Sequence, residues 1–399
     1  MSWTAVEMKV NELKVGVLTY FVGTEFVYAS LIGSGRVQKF RLARWDHVFP
    51  LIDQLFEAME RGSLSATIAP PEFHSFSYEW GRELLPPPAD LKPFDVLIII
   101  PHHSLHGLPL HTIWLEEADQ FLATSHAVAY CSSATLLKRC MDRNRARQHD
   151  LASWQFALGE GEEATGPERP RRCVAVGTDV IGDRTSSYHS LSDKFASYFE
   201  DALTECATRQ FKIRLKGDRR WEAICIVCHG YLDPKTSDNS GLLLERDAVG
   251  VTIRPIPLHR GVYYDFRDLP FQYLPVQVKP SRDAELMTIS ELKVDCLTDA
   301  QIVALFGCST GAGHLISGDD FSTMAYQWLK IGAASALANL WEADIDFILR
   351  WSPYFLHKWL IQRQPKAIAW REANRAVLGE SPETSPYYWG VVSLFGDWL

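Results

Sequence analysis

Two short apolar runs in this chain each end in one reactive side chain. The first reads Ala223-Ile-Cys-Ile-Val-Cys-His229-Gly230, and the second Gln301-Ile-Val-Ala-Leu-Phe-Gly307-Cys308-Ser-Thr-Gly311. A thiol beside an imidazole is a nucleophile beside its base. A free thiol titrates at about 8.5, so it needs a cationic neighbour or a helix N-terminus to become thiolate at neutral pH. His229 would be that neighbour for Cys308, and would later protonate a leaving amine. Gly230 lets the backbone turn sharply and would expose an amide that, together with the amide of Cys308, holds an oxyanion. This is the chemistry of a cysteine hydrolase. The blander alternative is that both residues are ordinary strand ends, since free cysteine is commonly buried and inert.

Three other constellations compete for attention. Cys225-Ile-Val-Cys228-His229 spells a c-type haem attachment motif. On a strand, however, residues three apart point to opposite faces, which disfavours both haem attachment and a zinc pair. The histidines of His102-His103-Ser-Leu-His106-Gly-Leu-Pro-Leu-His111 have no Cys or acidic partner at ligand spacing within the cluster, and a strand-to-turn segment closed by Gly107 and Pro109 accounts for them. No metal and no cofactor is therefore expected. Asp344 and Asp346 follow Trp341 closely. They are either a solvated loop pair or an acidic pocket that takes a basic side chain, since a carboxylate accepts Arg in bidentate fashion.

The elements that must carry these residues can be read from the pattern. Ile/Val-rich runs bounded by small residues are buried strands of a parallel sheet, and open α/β sheets bind ligands beyond the carboxyl ends of their strands. Residues 14–40 read as three short strands with turns at Gly23-Thr24 and Gly33-Ser34-Gly35. A helical pattern runs from Val48 to Met59, and after Pro86-Pro87-Pro88 comes a buried strand, Asp95–Ile100. Residues 143–172 are charged and Gly/Glu-rich, as in a surface loop; Cys173–Gly177 restarts the strand pattern, and a helix is expected over Ser192–Thr204. The stretch 246–285, with Pro255, Pro257, Pro270, Pro275 and Pro280 and the aromatics Tyr263, Tyr264, Phe266, Phe271 and Tyr273, is a long loop of the kind that shapes or covers a cleft. Asp319 or Asp320 should cap a helix ending at Gly332, with a further strand over Ala336–Trp341. Strands alternating with helices give an α/β fold on a mainly parallel sheet.

Composition sets the outer bounds. The 399 residues, 47% hydrophobic and 22% charged, form an ordinary globular protein with a large core. A net charge of −9 argues against general nucleic-acid binding. No stretch approaches the about 20 apolar residues that cross a bilayer, and the first residues do not form a signal peptide. Eight cysteines, several inside apolar runs, read as reduced thiols, so the expected compartment is cytoplasmic, with no membrane association.

Taken in order, these segments resemble the CHAT family of caspase-like cysteine peptidases and, more distantly, separase. The resemblance rests on Ile226-Val-Cys-His229-Gly230, Ser240-Gly-Leu-Leu-Leu244, Ala304-Leu-Phe-Gly-Cys308-Ser-Thr-Gly-Ala-Gly313, Gly318-Asp319, Gly332-Ala333 and Leu340-Trp341 with Asp344. It extends to Leu105-His106-Gly-Leu-Pro109, to Pro386-Tyr387-Tyr388-Trp389 with Phe395-Gly396-Asp397, and to the opening hairpin from about residue 14 onward. The resemblance implies a three-layer α/β/α caspase-like fold. A degenerate half would occupy 1–142, a charged linker 143–172 and the active half 173–399. It implies a dyad of Cys308 as nucleophile and His229 as base and acid, with Trp341, Asp344 and Asp346 lining a pocket for a basic residue, by similarity to separase. It implies a peptidase that cleaves a companion protein, such as a pore-former, in a bacterial defence (antiviral) or cell-death circuit. CHAT domains usually adjoin helical repeats or sensor regions; none is visible in this sequence, so regulation is expected from a separate partner, from the substrate or from an internal loop. The alternative is a catalytically silent module of the same fold that binds peptides.

Overall fold

A computed structural model describes residues 12–62, 69–157, 171–178, 185–199, 201–205, 220–231, 240–245, 284–288, 290–291, 299–307, 310–311, 313–316, 320–380 and 385–399. Their framework is one eleven-stranded sheet. In chain order its strands are β1 (Val15–Val22), β2 (Phe26–Gly33), β3 (Arg36–Arg44), β4 (Val96–Ile100), β5 (Ala127–Tyr130), β6 (Arg172–Gly177), β7 (Asp201–Glu205), β8 (Arg220–Val227), β9 (Asp299–Phe306), β10 (Ser335–Asn339) and β11 (Val392–Gly396). In space the order is β3-β2-β1-β4-β5-β11-β10-β9-β8-β6-β7. Seven of the ten pairings are parallel. The antiparallel ones are the opening meander and the return of β11 against β10.

The central strands are continuous apolar runs because both faces of the sheet are covered. Every residue of β4, β5, β10 and β11 is buried. The main helices are α1 (Trp45–Gly62), α2 (Pro71–Tyr78), α3 (Ala134–Ala157), α4 (Thr185–Ala196), α5 (Met324–Ile331), α6 (Ile345–Leu356) and α7 (Lys366–Glu380); α1, α3, α4, α5 and α7 lie on the sheet, while α2 packs on α1 and α6 on α4 and α7. The last strand, β11, lies between β5 of the first half and β10 of the second, so the C-terminus closes the sheet. Its end is pinned by Asp397. The backbone N–H of Asp397 donates to Ala334 O at 2.9 Å, and its carbonyl accepts from Ser335 Oγ at 2.6 Å. Its buried carboxyl accepts from Asn144 Nδ2. The C-terminal Phe-Gly-Asp is thus a structural latch.

The elements differ from the sequence pattern in three places. Helix α3 continues to Ala157, well into the stretch expected to be a loop, because Ala134–Ala157 contains no Gly or Pro and the helix breakers begin only at Gly159. Helix α4 starts at Thr185 and ends at Ala196, ahead of the range expected; Asp201–Glu205 leaves the helix to become edge strand β7, paired in parallel with β6. Helix α5 is capped by Thr323, whose side chain accepts from Tyr326 N at 3.0 Å, while Asp320 falls in a short strand, Asp320–Thr323. Asp319 is outside the described residues. The α5 stop is as expected: Gly332 ends it at φ 139°, a conformation open to glycine.

Candidate active site

Strands β8 and β9 run side by side in parallel, with the register Arg220↔Asp299 kept through to Val227↔Phe306. Parallel neighbours of equal register end together, at the carboxyl edge of the sheet where α/β folds place their sites. The next residue on β9 is Gly307, which lies flat against the chain leaving β8. A Cβ built on it would sit 2.9 Å from Cys228 O and 3.3 Å from Gly230 N. Only a residue without a side chain fits there, which brings the two strand ends into backbone contact. Cys308 and Ser309 lie outside the described residues.

Immediately beyond them, Thr310 and Gly311 are tied down. Thr310 Oγ1 donates to Leu305 O at 3.0 Å and Gly307 O at 3.1 Å, and accepts from Asn339 N at 3.1 Å. Gly311 N donates to Asn339 O at 2.8 Å. Residues on both sides of Cys308 are therefore anchored, upstream on β8 and downstream on the end of β10. The buried Thr310 hydroxyl is the knot between the two sides.

His229 is half-buried. It opens a short strand, His229–Tyr231, that pairs with Gly241–Glu245 in the register His229↔Leu243 and Gly230↔Leu242. Gly241–Glu245 pairs in turn with Ala284–Thr288, so a small antiparallel sheet fixes the backbone of His229. Residues 246–283, most of the stretch read as a long loop, lie outside the described residues between the paired ends Glu245 and Ala284. The imidazole ring itself meets Tyr188 of α4, centroid to centroid 5.3 Å and tilted by 35°. Gly177 at the end of β6 makes that approach possible: a Cβ there would lie 2.5 Å from both Tyr188 O and Ser192 Oγ.

Trp341 is built into the core. Its indole N–H donates to Tyr387 O at 3.0 Å, its ring stacks on Tyr387 at 5.6 Å, and Phe73 meets it edge-on at 5.0 Å. Asp344 is exposed and caps α6, its carboxylate accepting from Asp346 N at 2.9 Å. Asp346 is exposed in the first turn. This arrangement gives Asp344 a structural duty, as expected of Asp at an N-cap, and leaves both carboxylates facing solvent.

The other described cysteines are buried, and two of the clustered histidines are held by neighbouring groups. Cys131, Cys140, Cys173, Cys225 and Cys228 are buried. Burial raises the thiol of Cys131 to about 11, and those of Cys140, Cys173 and Cys225 further still. His102 Nδ1 accepts from Val22 N at 3.0 Å. His111 is buried, its Nε2–H donating to Gly390 O at 2.7 Å and its Nδ1 meeting Tyr130 OH at 2.9 Å. Among the described residues, no three His, Cys, Asp or Glu side chains are grouped to hold a metal, and no helix is long and apolar enough to cross a membrane.

Neither Tyr188 nor the Thr310–Asn339 tie was foreseen. The first depends on a contact 41 residues distant in sequence (229 − 188), and the second on a pairing across β9 and β10. The only local hints were the small residues Gly177 and Gly307.

Comparisons with known proteins bear on the family and the fold. The model of the CHAT domain matches residues 79–397, most of the chain. No curated protein matches. Among solved structures, separase of Saccharomyces cerevisiae in its complex with securin aligns over 98% of this chain at TM-score 0.55 and 10% identity. This chain spans only 30% of that separase. The Arg-specific cysteine proteinase gingipain R aligns over 89% of this chain and 75% of its own length, at TM-score 0.45 and 8% identity.

Proposed function

The chain belongs to the CHAT-domain family, and from that premise we propose that it is a cysteine endopeptidase with Cys308 as nucleophile and His229 as general base and acid. The observation that carries this reading is the in-register ending of β8 and β9, with Gly307 against the Cys228–Gly230 backbone. Two positions past the last pair, Val227↔Phe306, the sequence has His229 after one strand and Cys308 after the other. One covalent step, about 3.8 Å between Cα atoms, separates Cys308 from Gly307.

In the proposed cycle His229 takes the Cys308 proton, and the thiolate attacks the scissile carbonyl carbon. The amides of Gly230 and Cys308 hold the oxyanion. On collapse the C–N bond breaks, His229 returns its proton to the leaving amine, and a thioester remains on Cys308. His229 then activates a water that hydrolyses the thioester and frees the thiol. The four buried cysteines whose thiols are pushed up would stay neutral and take no part.

Specificity for a basic residue would come from Asp344 and Asp346. Both are exposed, and Asp344 lies five residues past Asn339, the residue that anchors Gly311. The acidic pair thus follows the same sheet edge as the dyad, with Trp341 bracing its start from the core. By family resemblance the substrate would be a companion protein, such as a pore-former, cleaved in a bacterial defence circuit in the cytoplasm under control of a separate sensor partner. The domain division at 143–172 belongs to the same proposal, with α3 bridging its first part.

The test is cleavage of candidate companion proteins and of a basic-residue peptide library by the parent, Cys308→Ala and His229→Ala. Cleavage lost in both variants supports the dyad; cleavage that persists in Cys308→Ala removes it. A parent that cleaves nothing in any condition points to a silent peptide-binding module.

A further inference from the structure

At the outer edge of the sheet, β3 leaves a strand edge unpaired among the described residues. β3 is the terminal strand, nine residues long, and among the described residues nothing pairs with its outer side. In a chain of net charge −9 this one strand holds Arg36, Lys39, Arg41 and Arg44 and no acid. Arg44 is paired with Asp46 at 2.7 Å, and Arg41 rests on the ring of Phe26 at 4.8 Å. Arg36, Lys39 and Arg41 have no acidic partner among the described residues.

The register shows how those cations are displayed. Across β1, β2 and β3 the rows Val17–Ile32–Val37, Thr19–Ser30–Lys39 and Phe21–Tyr28–Arg41 share one face. An antiparallel sheet with one solvated face normally turns polar residues outward. Here Phe21 is 58% exposed, Tyr28 40%, Ile32 43% and Val37 59%. The opposite side of β3 presents Phe40 and Leu42, half-buried at the rim of the core and covered from one side only. From Lys39 to Leu42 the free edge therefore alternates cationic side chains on one face with apolar ones on the other, with Val37 extending the first face and Arg36 and Gln38 the second.

We infer that β3 takes an added strand: an extended acidic segment in which acidic and apolar residues alternate. Main-chain hydrogen bonds to the free edge would supply affinity, and alternate side chains would supply selectivity. The acids would stand opposite Lys39 and Arg41 as cross-strand pairs, and the apolar residues would extend the cover over Phe40 and Leu42. Charge decides between this occupant and a second copy of the chain. Two β3 edges brought together would oppose cation to cation, which is destabilising and is the usual means by which edge strands avoid self-association. The same charges favour an acidic strand. This surface does not depend on the peptidase reading, since it lies at the far end of the sheet order from β8 and β9.

The probe is a fluorescent peptide of alternating Glu and Val, long enough to span β3, with an alternating Lys and Val peptide as its counterpart. Fluorescence anisotropy should show the acidic peptide binding the full chain at least about tenfold more tightly than the basic one, with the difference shrinking as salt shortens the reach of the charges. Lys39→Glu/Arg41→Glu should invert the preference. Hydrogen exchange should show amides of Arg36–Arg44 becoming protected only when the acidic peptide is present. Equal binding of the two peptides to the parent chain overturns the inference, even if the double variant does not fold. So does binding that leaves the β3 amides unprotected.

Discussion

Gly307 and Gly230 meet backbone to backbone: a Cβ on Gly307 would sit 3.3 Å from the Gly230 amide nitrogen and 2.9 Å from the carbonyl oxygen of Cys228. The two residues of the proposed dyad, one step beyond Gly307 and one step before Gly230 in sequence, would therefore depend on a contact that tolerates no side chain. Gly307→Ala should push β9 away from β8 by several tenths of an ångström. Since displacements near 1 Å cost about a hundredfold in rate, we predict a loss of roughly ten- to a hundredfold in kcat/KM with the thermal transition nearly unchanged. Full activity in Gly307→Ala would mean that this contact does not set the dyad.

Thr310 should matter for the same reason from the other side. Its hydroxyl joins Leu305, Gly307 and Asn339. Thr310→Val keeps the shape but leaves two buried carbonyls and one amide without that partner, at a cost of about 1–3 kcal/mol. Thr310→Ser keeps the hydroxyl and should retain most of both stability and cleavage. Chemical denaturation and steady-state rates on the two variants check this, and equal behaviour of Val and Ser would contradict it.

Tyr188 is expected to hold the His229 ring in place by its face, at 5.3 Å. Aromatic pairs contribute about 0.5–1.5 kcal/mol beyond burial. Tyr188→Ala should therefore lower kcat by roughly tenfold or less with little change in KM, and Tyr188→Phe should restore it. A Phe variant as slow as the Ala variant would move the role from the ring to the hydroxyl.

Asp344 can be tested so that capping and charge separate. Asp344→Ala removes the cap on α6 and should cost about 1 kcal/mol. Asp344→Asn keeps a capping side chain without the charge, so stability should hold while cleavage after Arg or Lys falls. Unchanged site preference in Asp344→Asn would confine this residue to its capping role.

His111 gives the fold a pH dependence of defined sign. Its burial lowers the imidazole to about 4, so the folded state holds it neutral. The carbonyl of Gly390 can only accept, which fixes the proton on Nε2. An unfolded histidine titrates at about 6.5. The contribution is complete above that value and is lost as pH falls from about 6.5 to 4, amounting to about 3 kcal/mol. Asp397, whose carboxyl is raised by burial, works in the opposite direction from the ordinary carboxylate range upward. Comparison with His111→Gln, which can still donate to Gly390, isolates the imidazole: its unfolding free energy should fall less between pH 7 and pH 4, by roughly 3 kcal/mol. Parallel pH profiles would contradict this.

The buried parallel strands were legible because burial on both faces writes an unbroken apolar run into the chain, as in Val96–Ile100 and Ile302–Phe306. The strand ends were legible from the residues that follow them, Pro101 after Ile100 and Gly307 after Phe306. What could not be read is what distant segments impose. Asp201–Glu205 carries no strong strand pattern and becomes a strand only by pairing with β6. Asp320 resembles a cap, yet Thr323 performs the capping because Asp320 pairs with Ile316 in a short hairpin. Likewise the supports of the site, Tyr188 on His229 and Asn339 on Thr310, are contacts between elements far apart in the chain. In sequence Asp344 fits either a loop carboxylate or a pocket; that it also starts α6 follows from Ile345 and Phe347 being buried just behind it.

The central claim is that Cys308 and His229 act as a pair, and it can be tested without knowing the substrate. The measurement is the pH dependence of Cys308 alkylation by iodoacetamide, located by mass spectrometry, in the parent and in His229→Gln. The buried thiols of Cys131, Cys140, Cys173 and Cys225, all raised, should contribute little background. The account predicts that Cys308 reacts well below the about 8.5 of an ordinary thiol, and that His229→Gln returns its reactivity to that range. A Cys308 that titrates as an ordinary thiol in both proteins would contradict it.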